Sequence, residues 1–265
     1  MKAIILSAGQ GTRLLPMTKE SPKCLLPLSG DTTNILRWQL DQLEEAGVTE
    51  TIVITGFYSD KVRAELARRT GPMKTRTVHN PFYKVADNIS SVWVARDEMT
   101  EDFLLMNGDT LFTVDVVRKL MTEAKEAITV TVAYKDAYDD DDMKVTLSDG
   151  KGSNVVAVSK IISLDDVDAE SIGMMMFKGR GAQTFREAVE NVMMNPEALK
   201  RYYLTVIDML AKIITVGTVE APQTDWCEVD FPLDLERAST VVSNWQERYG
   251  KTVKAVANSG LKAVK

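Results

Sequence analysis

Apolar residues along this chain fall into two patterns. Short unbroken runs occur at residues 3–6, 52–54 (within a strand expected over 51–55) and 103–106. Runs of that length bounded by polar or small residues predict strands buried on both faces of a parallel sheet. Between them, residues 34–46 carry Ile35, Leu36, Leu40 and Leu43 at three-to-four spacing and stop at Gly47, which predicts an amphipathic helix. Residues 59–68, 90–97 and 115–125 read as further helices, and 76–78 as a short strand. This βα alternation implies right-handed crossovers and a mostly parallel sheet. Beyond residue 126 the pattern changes. Residues 128–134, 144–147, 155–158 and 172–177 read as strands separated by short polar turns, an antiparallel extension. Helices are predicted over 182–193, 196–211 and 232–248, with strands at 215–220 and 226–229. The expectation is an α/β chain forming one domain over 1–250, with halves of about 1–125 and 126–250. The tail 251–265 is small, polar and Lys-rich, and is expected to be flexible.

Composition narrows the picture. Across 265 residues, 45% are hydrophobic, enough for a sizeable core. The net charge is −6 and no basic stripe is visible, which argues against a nucleic-acid partner. Much of the acidity lies in Asp139, Asp140, Asp141 and Asp142, a run read here as a solvated loop. No leader-like segment and no membrane-length run occurs. The two cysteines, Cys24 and Cys227, make neither a disulfide framework nor a zinc site, and read as small apolar fillers. A cytoplasmic, reduced setting is the default expectation.

The chemistry concentrates where the first strand ends, at Gly9-Gln10-Gly11-Thr12-Arg13, with Pro22-Lys23 beyond. Glycine lets main-chain N–H groups close on an anion, and Arg13 and Lys23 supply fixed cations. A dinucleotide fingerprint needs a third glycine opening directly into a helix, and a Walker loop needs G-x-x-x-x-G-K-[ST]; neither string is present. A plain turn after a strand stays open as the alternative. Asp109 follows the C-terminal end of the 103–106 strand, where ligands bind in open α/β sheets. A carboxylate there suits Mg²⁺, though it also suits a helix-capping turn. Glu228 and Asp230 alternate on an apparent strand, so both are expected on one face. Asp87-Asn88 before a helical stretch reads as an N-cap on propensity alone. The single histidine, His79, ends a short strand and is read as a surface or packing residue.

The run from Ser7 to Lys23, with its glycines, Arg13, Pro16, Pro22 and Lys23 in register, resembles the signature of nucleotidyltransferases that join a nucleoside triphosphate to a phosphorylated small molecule. Within that superfamily the chain is most similar to the cytidylyltransferases of the phosphocholine and phosphonate type. Asp87-Asn88-Ile89-Ser90-Ser91, Met143-Lys144-Val145 and Trp226-Cys227-Glu228-Val229-Asp230 carry the closer likeness, which runs to about Tyr249. The resemblance implies a Rossmann-like fold with a lid for the acceptor, and a Mg²⁺-dependent transfer of CMP from CTP to a small phosphate or phosphonate. It implies that Ala8, Gly9, Gly11, Thr12, Arg13 and Lys23 hold the nucleotide, with Asp87, Asn88 and Ser91 toward base and sugar. Arg13 and Lys23 would be catalytic, and Asp109 and Asp230 would hold the metal. Lys144 and Glu170 would face the acceptor, with Tyr203, Trp226 and Glu228. Members of this type often carry an acidic residue soon after the paired tyrosines; here Leu204 and Thr205 follow Tyr202 and Tyr203. A sugar-1-phosphate enzyme using UTP or dTTP, and a catalytically silent nucleotide-binding regulator, are the alternatives. Oligomeric state is open, a homodimer included.

Overall fold

A computed structural model describes residues 1–28 and 33–260, with side chains to Tyr249. In chain order the first half holds β1 (Lys2–Ser7), β2 (Pro27–Leu28), β3 (Thr33–Asn34), α1 (Ile35–Glu45), β4 (Glu50–Thr55), α2 (Ser59–Ala67), β5 (Lys74–His79), α3 (Ile89–Val94), β6 (Phe103–Asn107), β7 (Thr110–Phe112) and α4 (Val114–Glu123). The second half holds β8 (Ile128–Ala133), β9 (Lys144–Leu147), β10 (Val155–Ser159), β11 (Ala169–Phe177), α5 (Arg180–Met193), α6 (Leu204–Ala211), β12 (Gly217–Glu220), β13 (Trp226–Glu228) and α7 (Pro232–Gly260).

β1 lies at the centre of a nine-stranded mixed sheet, parallel to β4 on one side and β6 on the other, with β5 parallel beyond β4. This is the half that the continuous apolar runs predict. β11 then joins antiparallel to β6, and it also pairs with β8 and β9. Its register shifts between Ser171 and Met175, where Gly173 takes φ +69. A side chain at Gly173 would start 2.3 Å from Asn107 Nδ2, so only glycine fits this break. The break frees Ala169 and Glu170 to pair with β9 beyond the end of β6.

Alternation along the central strands sends Ile4, Ile52, Ile54, Phe103 and Leu105 into one apolar core, and Ala3, Ile5, Val53, Leu104 and Met106 into the opposite one. A third cluster matters more for function. Trp245, Val242 and Ala238 of α7 pack with Ile35 and Trp38 of α1, with Leu28 of β2, and with Leu14 and Leu26 from the long loop after β1. Burying an aliphatic side chain such as Leu14 is worth about 1.5–3 kcal/mol, so this cluster fastens an irregular loop to two helices.

Three expectations change. Residues 196–211 do not form one helix: a 3₁₀ turn at Pro196–Lys200 precedes α6. The backbone groups that would bridge the two are used elsewhere, since Leu199 O accepts from Asp87 N at 2.7 Å and Tyr203 N donates to Asn88 Oδ1 at 2.9 Å. The stretch after Asp109 adds β7, which pairs antiparallel with β13 in a separate ribbon, before α4 begins. Leu111 and Phe112 are too short a run to announce a strand alone. Third, α7 extends past Arg248 to Gly260. Residues 261–265, the end of the tail expected to be flexible, lie outside the described residues.

Candidate active site

The loop after β1 turns at Gly11, whose φ is +75. A Cβ there would sit 2.8 Å from the Lys23 Cβ, so the glycine lets the two arms of the loop touch. Thr18 Oγ1 donates to Gly11 O at 2.8 Å, and Phe57 N donates to Ala8 O at 3.0 Å. Ala8, Gly9, Gly11 and Thr12 thereby form one wall of a cavity of about 520 Å³ whose other wall includes Asp87, Asn88 and Ser91. Seven of the nine residues expected to hold the nucleotide line this one space; Arg13 and Lys23 do not. Neither Asp87 nor Asn88 caps α3 through its side chain. Asn88 instead fastens the start of α6 through its bond from Tyr203 N. Partial burial raises the Asp87 carboxyl above its ordinary range, against the pull of Lys200 and Lys160.

Four charged groups meet beside the glycine loop, where Lys23 lies against Gly11. Lys23 Nζ lies 2.9 Å from Asp109 Oδ2 and 2.6 Å from Asp230 Oδ1. Burial alone would lower the Lys23 pKa; the two carboxylates outweigh it and the net direction is upward. Arg13 lies 3.3 Å from Asp230. Asp109 arrives at the end of β6 and Asp230 from the ribbon, where Val229 N donates to Asp109 O at 3.2 Å. Glu228 and Asp230 do not lie on one strand as expected: β13 stops at Glu228, and Asp230 lies between β13 and α7, its N–H donating to Asp234 Oδ2 at 3.2 Å. Both acidic residues still end beside Asp109. Glu228 is exposed, yet the protein crowding it and the nearby Asp109, Asp230 and Glu170 hold its pKa above the usual carboxylate range.

Among the described residues no group of three His, Cys, Asp or Glu side chains forms a ready-made metal cage. Two carboxylates converging on one point nevertheless fit a hard divalent cation, which keeps waters or phosphate oxygens as its other ligands. Asp109 Oδ1 is buried without a partner, and Asp109 Oδ2 and Asp230 Oδ1 already share one cationic centre, the Lys23 ammonium.

The acidic run 139–142 is not a free solvated loop. Asp141 pairs with Arg13 at 2.8 Å and with Lys160 at 2.9 Å, while Asp142 pairs with Lys135 at 3.0 Å. Asp141 and Lys160 are absent from the sequence-based site, because a four-Asp run and a lysine after a short strand look like ordinary surface. Lys144 is fully buried and its ammonium donates to Lys160 O at 2.8 Å, so the cation that reaches the cleft beside it is Lys160. Glu170 pairs with Lys135 at 2.5 Å; burial pushes its carboxyl up to about 7 against the pull of that lysine. Tyr203 and Trp226 are both buried. His79 is exposed at the end of β5, against Tyr83. Burial also pushes the Cys24 and Cys227 thiols up to about 12, in keeping with inert fillers.

Comparison with known proteins decides the family. Residues 3–167 match the MobA-like NTP transferase domain. The chain belongs to that family. It is a nucleotidyltransferase, with relatives across nearly its whole length. A CTP:phosphoglutamine cytidylyltransferase of Campylobacter jejuni is 26% identical over 261 residues, covering 89% of this chain and 98% of the relative. A choline-phosphate cytidylyltransferase of Streptococcus pneumoniae is 32% identical over 112 residues, covering 42% of this chain and 46% of the relative. The solved structure of the CTP:phosphocholine cytidylyltransferase of Streptococcus pneumoniae superposes with a TM-score of 0.72, covering 91% of this chain and 98% of that one. At 20% identity that likeness speaks to the fold of this family member: a mixed Rossmann-like sheet flanked by helices. Among the described residues no helix is long and apolar enough to cross a membrane.

Proposed function

We propose that this nucleotidyltransferase moves CMP from CTP to a small acceptor bearing a phosphate or phosphonate, with release of pyrophosphate. The observation that carries the reading is the convergence of Arg13, Lys23, Asp109 and Asp230 within ion-pair distance, beside the glycine loop that with Asp87, Asn88 and Ser91 walls the cavity. Base and sugar occupy that cavity, and the phosphates extend toward Arg13 and Lys23. An acceptor oxygen attacks the α-phosphorus in line; one P–O bond forms as the bond to the β-phosphate bridging oxygen breaks. A phosphate monoester is largely a dianion at pH 7, so the nucleophile needs no strong base and no histidine. Arg13 and Lys23 stabilise the charge that grows on pyrophosphate, and catalysis is positioning plus electrostatics without a covalent enzyme intermediate. Asp109 and Asp230 would hold a divalent ion, Mg²⁺ in this reading, which when bound draws charge from the triphosphate oxygens. Lys160 is the cation nearest the acceptor's phosphorus, and Lys144 holds it in place through the Lys160 carbonyl.

Pyrophosphate release tests the reading. CTP, UTP, ATP, GTP and dTTP are each assayed against phosphocholine, 2-aminoethylphosphonate and hexose 1-phosphates, with Mg²⁺ and with a chelator. Release with CTP and a non-sugar acceptor, lost on chelation, is the expected result. Release only with a sugar phosphate and UTP or dTTP overturns it in favour of the sugar-nucleotide alternative. Calorimetric CTP binding with no turnover would mark a silent regulator.

A further inference from the structure

Asn80 lines the cavity of about 520 Å³ together with Asp87, Asn88 and Ser91, yet nothing in the proposed chemistry uses it. It is 1% exposed, and its amide is fully spent on the protein. Asn80 Oδ1 accepts from Phe82 N at 2.8 Å, and Nδ2 donates to Ser90 Oγ and to Ser91 Oγ, each at 3.0 Å. The Phe82 N–H can only donate, so it fixes which end of the amide is oxygen. Nδ2 then uses one hydrogen on each serine, and both hydroxyls are held as acceptors.

A hydroxyl that accepts from a fixed donor keeps its own proton to give. Ser90 gives its proton to Asp87 O at 2.8 Å. The Ser91 proton meets no acceptor among the described residues, and Ser91 lines the cavity. Asn88 is oriented by the same device. Tyr203 N donates to Asn88 Oδ1 at 2.9 Å, which leaves the Asn88 Nδ2 hydrogens for a ligand. Two donors of set polarity therefore border one space. A ribose hydroxyl rotates to meet either polarity, so a rigid donor pair selects nothing on the sugar. A base edge is different, because the ring fixes its donors and acceptors. Cytosine presents O2 and N3 as adjacent acceptors, whereas uracil carries a hydrogen on N3.

We propose that Asn80 is a positioning residue for base choice: it holds the Ser91 hydroxyl as a donor toward N3 of the base, so that the site takes cytosine and rejects uracil. The inference rests on the cytidylyl reading above and assigns the origin of its base preference. Asn80 touches no substrate in this account; it acts through Ser91, and the Phe82 N–H acts through Asn80.

Asn80→Asp tests this, since a carboxylate in that place accepts from Phe82 N and from both serines, and those hydrogen bonds keep it ionised. The Ser91 proton then turns inward and its lone pairs border the cavity, the polarity that a hydrogen on N3 requires. Isothermal titration with CTP and with UTP, Mg²⁺ present and no acceptor added, reads the outcome independently of the acceptor's identity. Wild type is expected to bind CTP tenfold or more tighter than UTP. Asn80→Asp is expected to cut that ratio tenfold or more. The added charge weakens both triphosphates alike and cancels in the ratio, as would a merely structural role. An unchanged ratio, or equal affinities in wild type, overturns the inference and leaves the cytidylyl reading standing. Wild type that favours UTP, or binds neither nucleotide, overturns that reading and the inference with it. Should a melting scan show Asn80→Asp unfolded, Ser91→Ala decides: CTP affinity is expected to fall several-fold with UTP affinity within about twofold of wild type, and equal losses overturn the inference.

Discussion

Lys23 answers two carboxylates with one ammonium, and this arrangement sets what its removal does. Lys23→Met leaves Asp109 and Asp230 facing each other with Asp109 partly enclosed. An uncompensated carboxylate pair of this kind costs a few kcal/mol, about a 5–10 °C fall in Tm for a chain of this size. If the same two oxygens hold a divalent ion, millimolar Mg²⁺ restores most of that loss; scanning calorimetry of the variant with and without metal reads both effects. No recovery with metal would remove Asp109 and Asp230 as its ligands. Arg13 is more exposed and makes a different prediction. Arg13→Ala is expected to lower kcat by roughly 10²-fold with little change in Tm, since its charge is needed for the leaving group and not for the fold. Near-normal turnover in that variant would contradict the role given to Arg13. These residues were legible in the sequence because glycines, prolines and basic groups at fixed spacing around one loop constrain the backbone. Asp141 and Lys160 were not legible, because their significance lies in each other and in Arg13, positions far apart along the chain.

At the scale of elements, the loop carrying Asp141 sits across the cations that the proposed nucleotide needs. Its carboxylate holds Arg13 and Lys160 together. Asp141→Asn removes that competitor, and CTP affinity is expected to rise roughly two- to five-fold, the scale of exposed ion pairs, as isothermal titration would record. Unchanged or weaker binding would show that the pairs do not compete with the triphosphate. The parallel strands β1, β4 and β6 were readable because each is apolar on both faces. The β7–β13 ribbon was not, since Thr110–Phe112 pairs with residues more than a hundred positions away. The break between the 3₁₀ turn at Pro196–Lys200 and α6 was hidden for the same reason: helical propensity runs through it, and only contacts with Asp87 and Asn88 interrupt it.

For the whole molecule, buried acidity gives stability a pH dependence of definite sign. Glu170 titrates near 7 in the folded protein, against an ordinary value of 4.5. Between those values the folded state holds the proton more tightly, so raising the pH through this window favours unfolding. Relative to wild type without metal, Glu170→Gln is expected to gain stability from pH 5 to pH 8, by at most about 3 kcal/mol. Urea midpoints at the two pH values measure it, and a gain in the opposite direction would contradict the assignment. The ribbon adds a constraint of another kind. Lys23 and Asp109 lie in the first half of the chain, while Asp230 is delivered only after β13 has closed on β7. A chain emerging from the ribosome therefore completes the pocket beside Asp87 and Asn88 well before its second acidic arm has been synthesised, and full assembly of the charged centre waits for the carboxyl-terminal helix to dock.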